Sequence, residues 1–361
     1  SAESGDQIVL IDYARTWGTN KIIIDSNGLN YQGNPDTYTV EYTTDGQSVN
    51  IVYSDATKGW LPLEDDVTAL EPVAPPTQKG IFGYGTTGSY VSMSNLVNSS
   101  GVVAADVTGV GTARGLLGAA GYGGDKAIFG YGHTGSNVSM TNLVSNSGVV
   151  ASDVTGVGTA RYSLAAASYG TDKVIFGYGY VSGAVSMTNL VNNSGVVSAD
   201  VTGVGTARYA LAAASYGGDK AIFGYGTSGT VVSLTNLVSN SGVVATDTTG
   251  VGTARSDLAA ASYGTDKAIF GYGYTGSNVS MTNLVSNSGV VASDVTGVGT
   301  ARYGPGATGY GGDKAIFGYG NTGSYVSMTN LVSNSGVVAT DTTGVGTARS
   351  YPGAAGYSTS A

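Results

Sequence analysis

The sequence repeats itself with a period of 47 residues over most of its length. The motif Ile-Phe-Gly-Tyr-Gly occurs six times without insertion or deletion between copies, beginning at Ile81, Ile128, Ile175, Ile222, Ile269 and Ile316. Residues 80–361 make up 282 positions, which is six whole periods. A fixed period of about 40–50 residues is typical of chains whose copies bury their apolar faces against one another. We therefore expect a ring or a stack of equal units.

The residue composition favours β-structure. The chain of 361 residues contains 59 Gly, 25 Tyr and no Cys, and only 11% of its residues are charged. Strand-favouring Val, Ile, Thr and Tyr are abundant, whereas helix-favouring residues are scarce. No apolar run approaches the roughly 20 residues that a membrane-spanning helix needs. The sequence therefore predicts an all-β protein without membrane insertion.

Each copy contains four candidate strands, which we call a to d in chain order. In one copy they are Leu164–Tyr169, Lys173–Tyr178, Val185–Val191 and Gly195–Val201. The Gly-Asp, Asn-Ser-Gly and Thr-Gly-Val-Gly elements between them favour tight antiparallel turns. Four short antiparallel strands in a repeat of this length are typical of a β-propeller blade. The alanines of strand a suit the innermost position, where blades converge on the axis.

The two ends of the repeat region predict that the ring closes. The first copy begins at strand b (Gly80–Tyr84), whereas Gly353–Tyr357 adds an alanine-containing strand a at the C-terminal end. This last strand can complete the first blade, and closure removes the exposed strand edges that favour aggregation. A solenoid would instead need polar capping repeats. We therefore expect residues 80–361 to form a six-bladed β-propeller closed by its C-terminal strand.

Residues 1–72 predict a separate, small and acidic β-domain. Residues 1–78 carry twelve acidic and three basic side chains, a difference that equals the net charge of −9. Trp17 and Trp60 are expected to fill a small core. Residues 73–79 continue a proline-rich stretch and predict a linker. Candidate strands are Gln7–Tyr13, Lys21–Asp25, Thr37–Tyr42 and Ser48–Tyr53, with Asn27-Gly28 and Asp45-Gly46 as turns of the hairpin type.

Charge and starting residue suggest two further expectations. The repeat region balances twelve bases with twelve acids, so it has no basic stripe of the kind that attracts nucleic acid. We therefore expect no binding to nucleic acid. Because the chain begins with Ser1 and not with Met, we expect it to be a processed product or a fragment of a longer protein.

Every copy carries one Arg after Thr-Ala and one Asp eight residues before that Arg. Six equal pairs do not provide the single asymmetric site with tuned pKa values that catalysis needs. We predict structural bridges instead, in which each Arg binds the Asp of its own copy. The arginines are Arg114, Arg161, Arg208, Arg255, Arg302 and Arg349, and the aspartates are Asp106, Asp153, Asp200, Asp247, Asp294 and Asp341.

The sequence lacks the usual signals of catalysis. His133 is the only histidine, so no histidine dyad or histidine metal cluster is available. The Gly-Tyr-Gly and Gly-Val-Gly-Thr motifs lack the strand–loop–helix context and the lysine of a phosphate-binding loop. The Asp-x-Thr runs do not match the spaced acidic loop of a calcium site. We therefore predict a protein that is not an enzyme and that uses no cofactor or metal.

Comparison of the six copies shows which positions vary. The b–c turn and the residues directly after each Arg differ between copies, and in a four-stranded meander both emerge on the same face. That face displays Tyr, Asn, Thr, Ser and one His, which suit hydrogen bonding and stacking, and saccharides are a natural target. Neutral drift of exposed turns is the alternative explanation. The candidate ligand-binding residues are Thr86, Tyr90, His133, Asn137, Tyr162, Tyr180, Tyr209, Thr227, Asp257, Tyr274, Asn278, Tyr303, Asn321, Tyr325 and Tyr351.

The run of residues 161–179 resembles a kelch repeat. It has the Arg, the strand of small residues, the Asp-Lys pair and the apolar strand ending in glycine. Gly-Tyr stands where kelch repeats have Gly-Gly, and the later Trp is absent from Thr155-Gly156-Val157-Gly158. Kelch-type oxidases use a Tyr crosslinked to Cys together with His copper ligands, so a chain with no Cys and one His cannot be one.

The repeats with Phe-Gly-Tyr-Gly and Met-Thr-Asn-Leu-Val-Ser-Asn-Ser-Gly-Val-Val resemble those of tailed-bacteriophage virion proteins. The segments 5–13, 20–24, 28–30 and 55–60 resemble a small β-domain of phage tail-fibre and structural proteins. The resemblance implies a virion structural protein on the tail or capsid surface, such as a tail fibre or tail appendage.

The same resemblance implies partners for both domains. Residues 1–72 would attach to other virion proteins or oligomerise, with a trimer expected although no coiled-coil heptads accompany it. The propeller face would bind a host-surface glycan or a protein receptor. One alternative is a purely structural capsid-decoration or tail-assembly protein that packs against other virion subunits. A second alternative is a glycan-degrading propeller enzyme.

Overall fold

The computed structural model describes residues 2–63, 69–71 and 78–358. The chain divides into two compact units, Ser1–Pro76 and Thr77–Ala361. Every regular element within the described residues is a β-strand, which confirms the predicted all-β class. The described part of the chain accordingly contains no helix that could cross a lipid bilayer. Most of the predicted linker over residues 73–79 lies outside the described residues.

The first unit consists of two three-stranded antiparallel sheets, with the orders β1-β4-β5 and β2-β3-β6. Alternate residues of the strands face its core: Val49 and Ile51 of one sheet are buried with Val40 and Tyr42 of the other. The strands are β1 (Gln7–Ile11), β2 (Ile22–Ile24), β3 (Thr39–Tyr42), β4 (Ser48–Tyr53), β5 (Trp60–Pro62) and β6 (Ala69–Glu71).

The predicted contents of the first unit are confirmed in part. Trp17 is buried in the core, and Trp60 packs against it, as expected. The four predicted strands are present, β4 with its predicted bounds and β1, β2 and β3 with shorter ones, whereas β5 and β6 were not predicted. Asp45-Gly46 does not form a hairpin, because β3 and β4 on either side of it belong to different sheets. The turn is held instead by Asp12, whose carboxylate accepts a hydrogen bond from the backbone N–H of Gly46.

The second unit contains six three-stranded antiparallel sheets. Their orders are β24-β7-β8, β9-β10-β11, β12-β13-β14, β15-β16-β17, β18-β19-β20 and β21-β22-β23, so strand b is always central. The strands are β7 (Gln78–Gly83), β8 (Ser94–Val97), β9 (Gly118–Tyr122), β10 (Lys126–His133), β11 (Asn137–Val144), β12 (Ala165–Tyr169), β13 (Lys173–Gly177), β14 (Thr188–Val191), β15 (Ala212–Tyr216), β16 (Lys220–Gly224), β17 (Thr235–Val238), β18 (Ala259–Tyr263), β19 (Lys267–Gly271), β20 (Thr282–Val285), β21 (Gly306–Tyr310), β22 (Lys314–Asn321), β23 (Tyr325–Val332) and β24 (Gly353–Ser358).

The C-terminal strand completes the first sheet, as the sequence predicts. Ala354 of β24 lies opposite Phe82 of β7, and Gly353 lies opposite Gly83. The six a strands β9, β12, β15, β18, β21 and β24 each contact the next in chain order, and β24 also contacts β9. Each a strand therefore contacts the a strands of two other sheets.

The glycine that follows the Phe in the repeated motif is required by the packing between neighbouring sheets. The Phe of each copy is fully buried and lies against the glycine that follows the Phe of the preceding copy. A Cβ atom on Gly177 would lie 2.6 Å from the ring of Phe223, and one on Gly318 would lie 2.9 Å from the ring of Phe82. Because both distances are too short for a real contact, only glycine lets the sheets approach so closely.

Strand d of the prediction is not a regular strand. In the third copy, this segment pairs with β14 at the isolated bridges Thr188↔Val201 and Val191↔Val197, with a further backbone hydrogen bond from Ser198 to the carbonyl of Leu190. The two bridge positions are three residues apart on β14 but four apart on the outer segment, so one extra residue interrupts the ladder as in a β-bulge. Each sheet therefore has three strands and an irregular outer segment, not four strands. Strand c of this copy begins at Thr188 rather than at Val185.

Candidate binding face

Each repeat arginine is buried at the boundary between two sheets. Arg208 donates from Nε to the carbonyl of Tyr225 (2.9 Å), from Nη1 to the carbonyl of Thr206 (3.2 Å) and from Nη2 to Oδ1 of Asn236 (2.6 Å). Its guanidinium also lies 4.3 Å from the ring centroid of Tyr178. Tyr178 follows β13, whereas Tyr225 follows β16 and Asn236 lies in β17 of the next sheet. The arginine therefore joins two neighbouring sheets.

The aspartate beside each arginine comes from the following copy, which corrects the predicted pairing within one copy. Nη1 of Arg208 lies 3.7 Å from Oδ1 of Asp247, and Nη1 of Arg161 lies 3.9 Å from Oδ1 of Asp200. The physical reason is the position of Thr206, whose backbone N–H and hydroxyl both donate to the Asp247 carboxylate. Like the arginine, these bonds hold adjacent copies together.

Hydrogen bonds lower the pKa of these aspartates. Burial alone would raise the pKa of Asp247, but the bonds donated by Thr206 and Asn236 and the charge of Arg208 outweigh it and hold the pKa below its usual range. The same balance lowers the pKa of Asp106, Asp153, Asp200, Asp294 and Asp341.

The protein is therefore expected to lose stability in acid. A carboxyl with a depressed folded pKa stabilises the fold above its unfolded pKa of about 3.9, and this contribution disappears as the pH falls through the folded pKa. Thermal melts followed by circular dichroism should give a constant midpoint above about pH 5 and a steep fall below about pH 4. The variant Asp247→Asn should lose less stability between these pH values than the parent chain. An equal acid loss in both proteins would contradict the role of Asp247.

The variable segment after each Arg lies beside the variable b–c turn of the following copy. Tyr162, which follows Arg161, forms an isolated β-bridge with Tyr180 of the b–c turn. The bridges Tyr209↔Thr227, Ser256↔Tyr274, Tyr303↔Asn321, Gly115↔His133 and Thr86↔Ser350 repeat this arrangement in the other copies. The structure thus brings together the two sets of candidate residues that the sequence comparison selected.

Five of the candidate side chains form a continuous row of ring contacts, which we call the aromatic row. The hydroxyl of Tyr90 lies 2.8 Å from Nδ1 of His133, and the ring of His133 contacts that of Tyr162 with centroids 5.1 Å apart. The row continues from Tyr162 to Tyr180 (5.4 Å) and from Tyr180 to Tyr209 (5.0 Å). All five residues are half-buried, so each remains partly exposed to solvent.

A second aromatic group involves the last two copies. The ring centroids of Tyr274 and Tyr303 are 6.1 Å apart, and those of Tyr303 and Tyr351 are 6.0 Å apart. The hydroxyl of Tyr351 donates to Oδ1 of Asp257 at 3.1 Å. Burial raises the pKa of Asp257 above its usual range, against the opposing effect of hydrogen bonds from Ser256 and Tyr351.

The remaining candidates are polar side chains of the b–c turns. The amides of Asn137 and Asn278 donate to backbone carbonyls of the following copy, at 3.1 Å to Val181 and 3.3 Å to Asn321. Isolated bridges or strand pairs connect Thr86 to Tyr90, Thr227 to Val231 and Asn321 to Tyr325. These residues shape the turns between the aromatic side chains.

A ring of left-handed residues, which we call the collar, was not predicted. The second residue after each Arg has a φ angle between 51° and 60°. The N–H of each collar residue from the second copy onward donates to the carbonyl 47 residues earlier, at 2.7–2.9 Å. The six residues are Leu116, Ser163, Ala210, Asp257, Gly304 and Tyr351. The sequence did mark this position as unusual, because six different side chains occupy it in the six copies.

A central cavity of about 260 Å³ is lined by the a strands of all six sheets. Its walls are mostly alanine, and its serine hydroxyls donate to backbone carbonyls of the neighbouring sheet, as Ser168 does to Gly121 (2.8 Å) and Ser215 to Ser168 (2.9 Å). These hydroxyls therefore contribute to contacts between sheets. Among the residues that the structure describes, no group of three or more His, Cys, Asp or Glu side chains is arranged to hold a metal ion.

Comparison of the chain with protein-family models finds no matching family, and a search among curated proteins finds no similar sequence. The functional assignment therefore depends on the residues and on the geometry described above.

Proposed function

We propose that this chain is a non-enzymatic virion protein of a tailed bacteriophage, a tail fibre or another tail appendage. In this proposal the Thr77–Ala361 unit is a six-bladed β-propeller whose variable face binds a host-surface glycan or protein. The first unit attaches to other virion proteins on the tail or capsid surface, and the assembled protein is a trimer.

Contacts across the junction of the last and first copies support the propeller. The hydroxyl of Thr347 donates to Oδ2 of Asp106 at 2.6 Å, the same distance as in the equivalent pair Thr206 and Asp247. The cyclic order of the six a strands and the pairing of β24 with β7 support it further. Because the six copies have equivalent neighbours, a closed ring of six equal blades accounts for all three observations.

The observation that best supports binding is the aromatic row. Tyrosine rings supply large contact areas at a low cost in side-chain entropy, and their hydroxyls add hydrogen bonds. The rings lie at positions where the copies differ in sequence, whereas the packing residues Phe, Gly, Arg and Asp are kept in every copy. An elongated surface of half-exposed rings from three consecutive copies fits an oligosaccharide or an extended peptide segment.

A purely structural role in the virion is the second candidate, and one observation favours it. Six equivalent valines of the c–d turns, one in each copy, are 61–66% exposed. They are Val102, Val149, Val196, Val243, Val290 and Val337. Exposed apolar side chains repeated in this way can pack against neighbouring virion subunits.

Two pairs of substitutions separate these functions. We expect Tyr162→Ser combined with Tyr209→Ser to weaken binding of the full chain to its glycan by about 30-fold, because the two lost rings together remove about 2 kcal/mol of stacking. Stability should be unchanged, since Ser256 and Ser350 occupy the same repeat position in other copies. Binding is measured on arrays of bacterial surface polysaccharides and by adsorption of labelled protein to cells.

The control is Val149→Ser combined with Val196→Ser, which changes the exposed valines and leaves the aromatic row intact. If the adhesive function is correct, this variant binds the glycan as tightly as the parent chain does. If only the valine variant is impaired, in virion assembly and not in adsorption, the structural role is correct and the adhesive role is wrong.

A further inference from the structure

A cavity of about 90 Å³ lies within the collar. It is lined by the collar residues and by the four leucines and two prolines that follow them in the chain: Leu117, Leu164, Leu211, Leu258, Pro305 and Pro352. Every copy therefore contributes to one apolar wall. The only ionisable side chains that line the cavity are Asp257 and Tyr351.

The carboxylate of Asp257 has unused capacity to accept hydrogen bonds. It accepts one bond from the hydroxyl of Tyr351 (3.1 Å) and one from the hydroxyl of Ser256 (2.8 Å). Two carboxylate oxygens offer about four acceptor positions. None of the ion pairs among the described residues includes Asp257. A half-buried carboxylate in an apolar wall without a cationic partner is unfavourable and is stabilised by binding a cation.

Gly304, the collar residue between Asp257 and Tyr351, leaves space for the ring of Tyr351 at the same cavity. A Cβ atom on Gly304 would lie 3.0 Å from the ring of Tyr351, so a larger collar residue would push the ring away. The ring thereby reaches from the last copy to Asp257, two copies earlier in the chain. One side of the cavity thus combines a carboxylate with an aromatic ring, and the other side is aliphatic, with Leu116, Leu117, Leu164 and Leu211.

We propose that the collar cavity binds a primary ammonium group carried on a small apolar or sugar framework. This inference deepens the proposed function, since it names a ligand group for the same face. The ammonium donates to the free acceptor positions of Asp257 and lies close to the ring of Tyr351, while the leucines contact its carbon atoms. An amino sugar of a surface glycan and a lysine side chain of a protein receptor both supply this chemistry.

The first measurement compares a cation with a neutral molecule of the same shape. The full chain, labelled with ¹⁵N, is titrated at pH 7 with n-propylammonium chloride and, separately, with 1-propanol. We expect n-propylammonium to shift the amide signals of the collar residues and to bind about tenfold or more tightly than 1-propanol. Equal binding of the two molecules, or no shift with either, overturns the proposal.

Variants at Asp257 test the residue that gives this preference. Asp257→Asn keeps the shape of the side chain and removes its charge, and it should abolish the preference for n-propylammonium. Asp257→Ala serves as the second variant, because Ala210 already occupies the equivalent collar position with φ 52°. Retention of the full preference in either variant overturns the proposal.

Two further ligands distinguish the source of the ammonium. Glucosamine is compared with glucose, and Nα-acetyl-lysine amide with Nα-acetyl-norleucine amide, in the same titration. A preference for glucosamine indicates a glycan ligand, and a preference for the lysine derivative indicates a protein ligand. If the ammonium preference is found but the parent chain adsorbs to no cell or array, the proposed adhesive function fails and the ammonium site stands. If the parent chain shows no ammonium preference, but both it and Asp257→Asn adsorb to cells, the ammonium site is wrong and the proposed adhesive function stands.

Discussion

Replacement of Arg208 by methionine is expected to lower the free energy of unfolding by about 3–5 kcal/mol. The substitution removes three hydrogen bonds and leaves Oδ1 of Asn236 and the carbonyl of Tyr225 without their donor. Each buried acceptor that loses its partner costs about 1–3 kcal/mol. The contact with the ring of Tyr178 is lost as well. Both tryptophans lie in the first unit, so urea unfolding of the repeat unit is followed by circular dichroism.

The equivalent substitution at Arg349 provides a matched control. Arg349 lies over the ring of Tyr319 at 4.1 Å and donates from Nη1 to Thr347, but its Nε and Nη2 atoms are buried without a hydrogen-bond partner among the described residues. Oδ1 of Asn95, at the position equivalent to Asn236, also has none. Because Arg349→Met breaks fewer bonds, it should cost about 2 kcal/mol less than Arg208→Met. Equal losses at the two positions would show that the hydrogen bonds of Arg208 do not stabilise the fold.

Removal of residues 353–361 is expected to lower the thermal midpoint of the repeat unit by about 10–20 °C, since a loss of about 5 kcal/mol or more shifts the midpoint of a unit of this size by that amount. The truncation removes β24, which pairs with β7 and contacts β9 and β21. It also removes the buried side chains of Ala355 and Tyr357. The uncovered edge of β7 can then pair with other molecules, so increased aggregation is expected as well.

Truncation after Ser358 is the control for this experiment. It keeps the whole of β24, so its thermal midpoint should equal that of the full chain within about 2 °C. Melting is measured by circular dichroism, and association by light scattering. A chain ending at Pro352 that melts like the control would mean that β24 contributes little to the stability of the repeat unit.

Local patterns predicted the elements of the repeat unit and failed where the contacts are irregular. Strands a and b were placed within a residue or two, because alanine-rich and Ile-Phe segments are bounded by glycine turns. Strand d was wrong, since a single extra residue breaks the ladder between Thr188 and Val201, and alternation of residue types does not reveal such a bulge. The partner of Arg208 was also assigned incorrectly. Each arginine can pair with the aspartate of its own copy or with the equivalent aspartate of the following copy, and the sequence cannot show which of the two it contacts.

The candidate binding face was predicted as a set of positions but not as an arrangement. Differences between copies selected Tyr90, His133, Tyr162, Tyr180 and Tyr209, which the structure joins into one row. Their ring contacts could not be derived, because they run between copies and depend on the angle between neighbouring sheets. The collar was missed for a related reason. Its φ angles are imposed by hydrogen bonds between copies, while five of its six residues are not glycine.

The sequence by itself determined the number of repeats, their all-β character and the pairing of the last strand with the first copy. The number of repeats follows from the period, and the all-β character follows from the composition. The pairing follows because the first copy lacks an a strand and the C-terminal end of the chain supplies one. Only the tertiary structure decided which copy supplies each aspartate and how the aromatic side chains meet. It alone placed the hydroxyl of Tyr351 beside Asp257, 94 residues away in the chain. Such contacts depend on how sheets pack against one another, and a repeat that is the same in every copy contains no information about its neighbours.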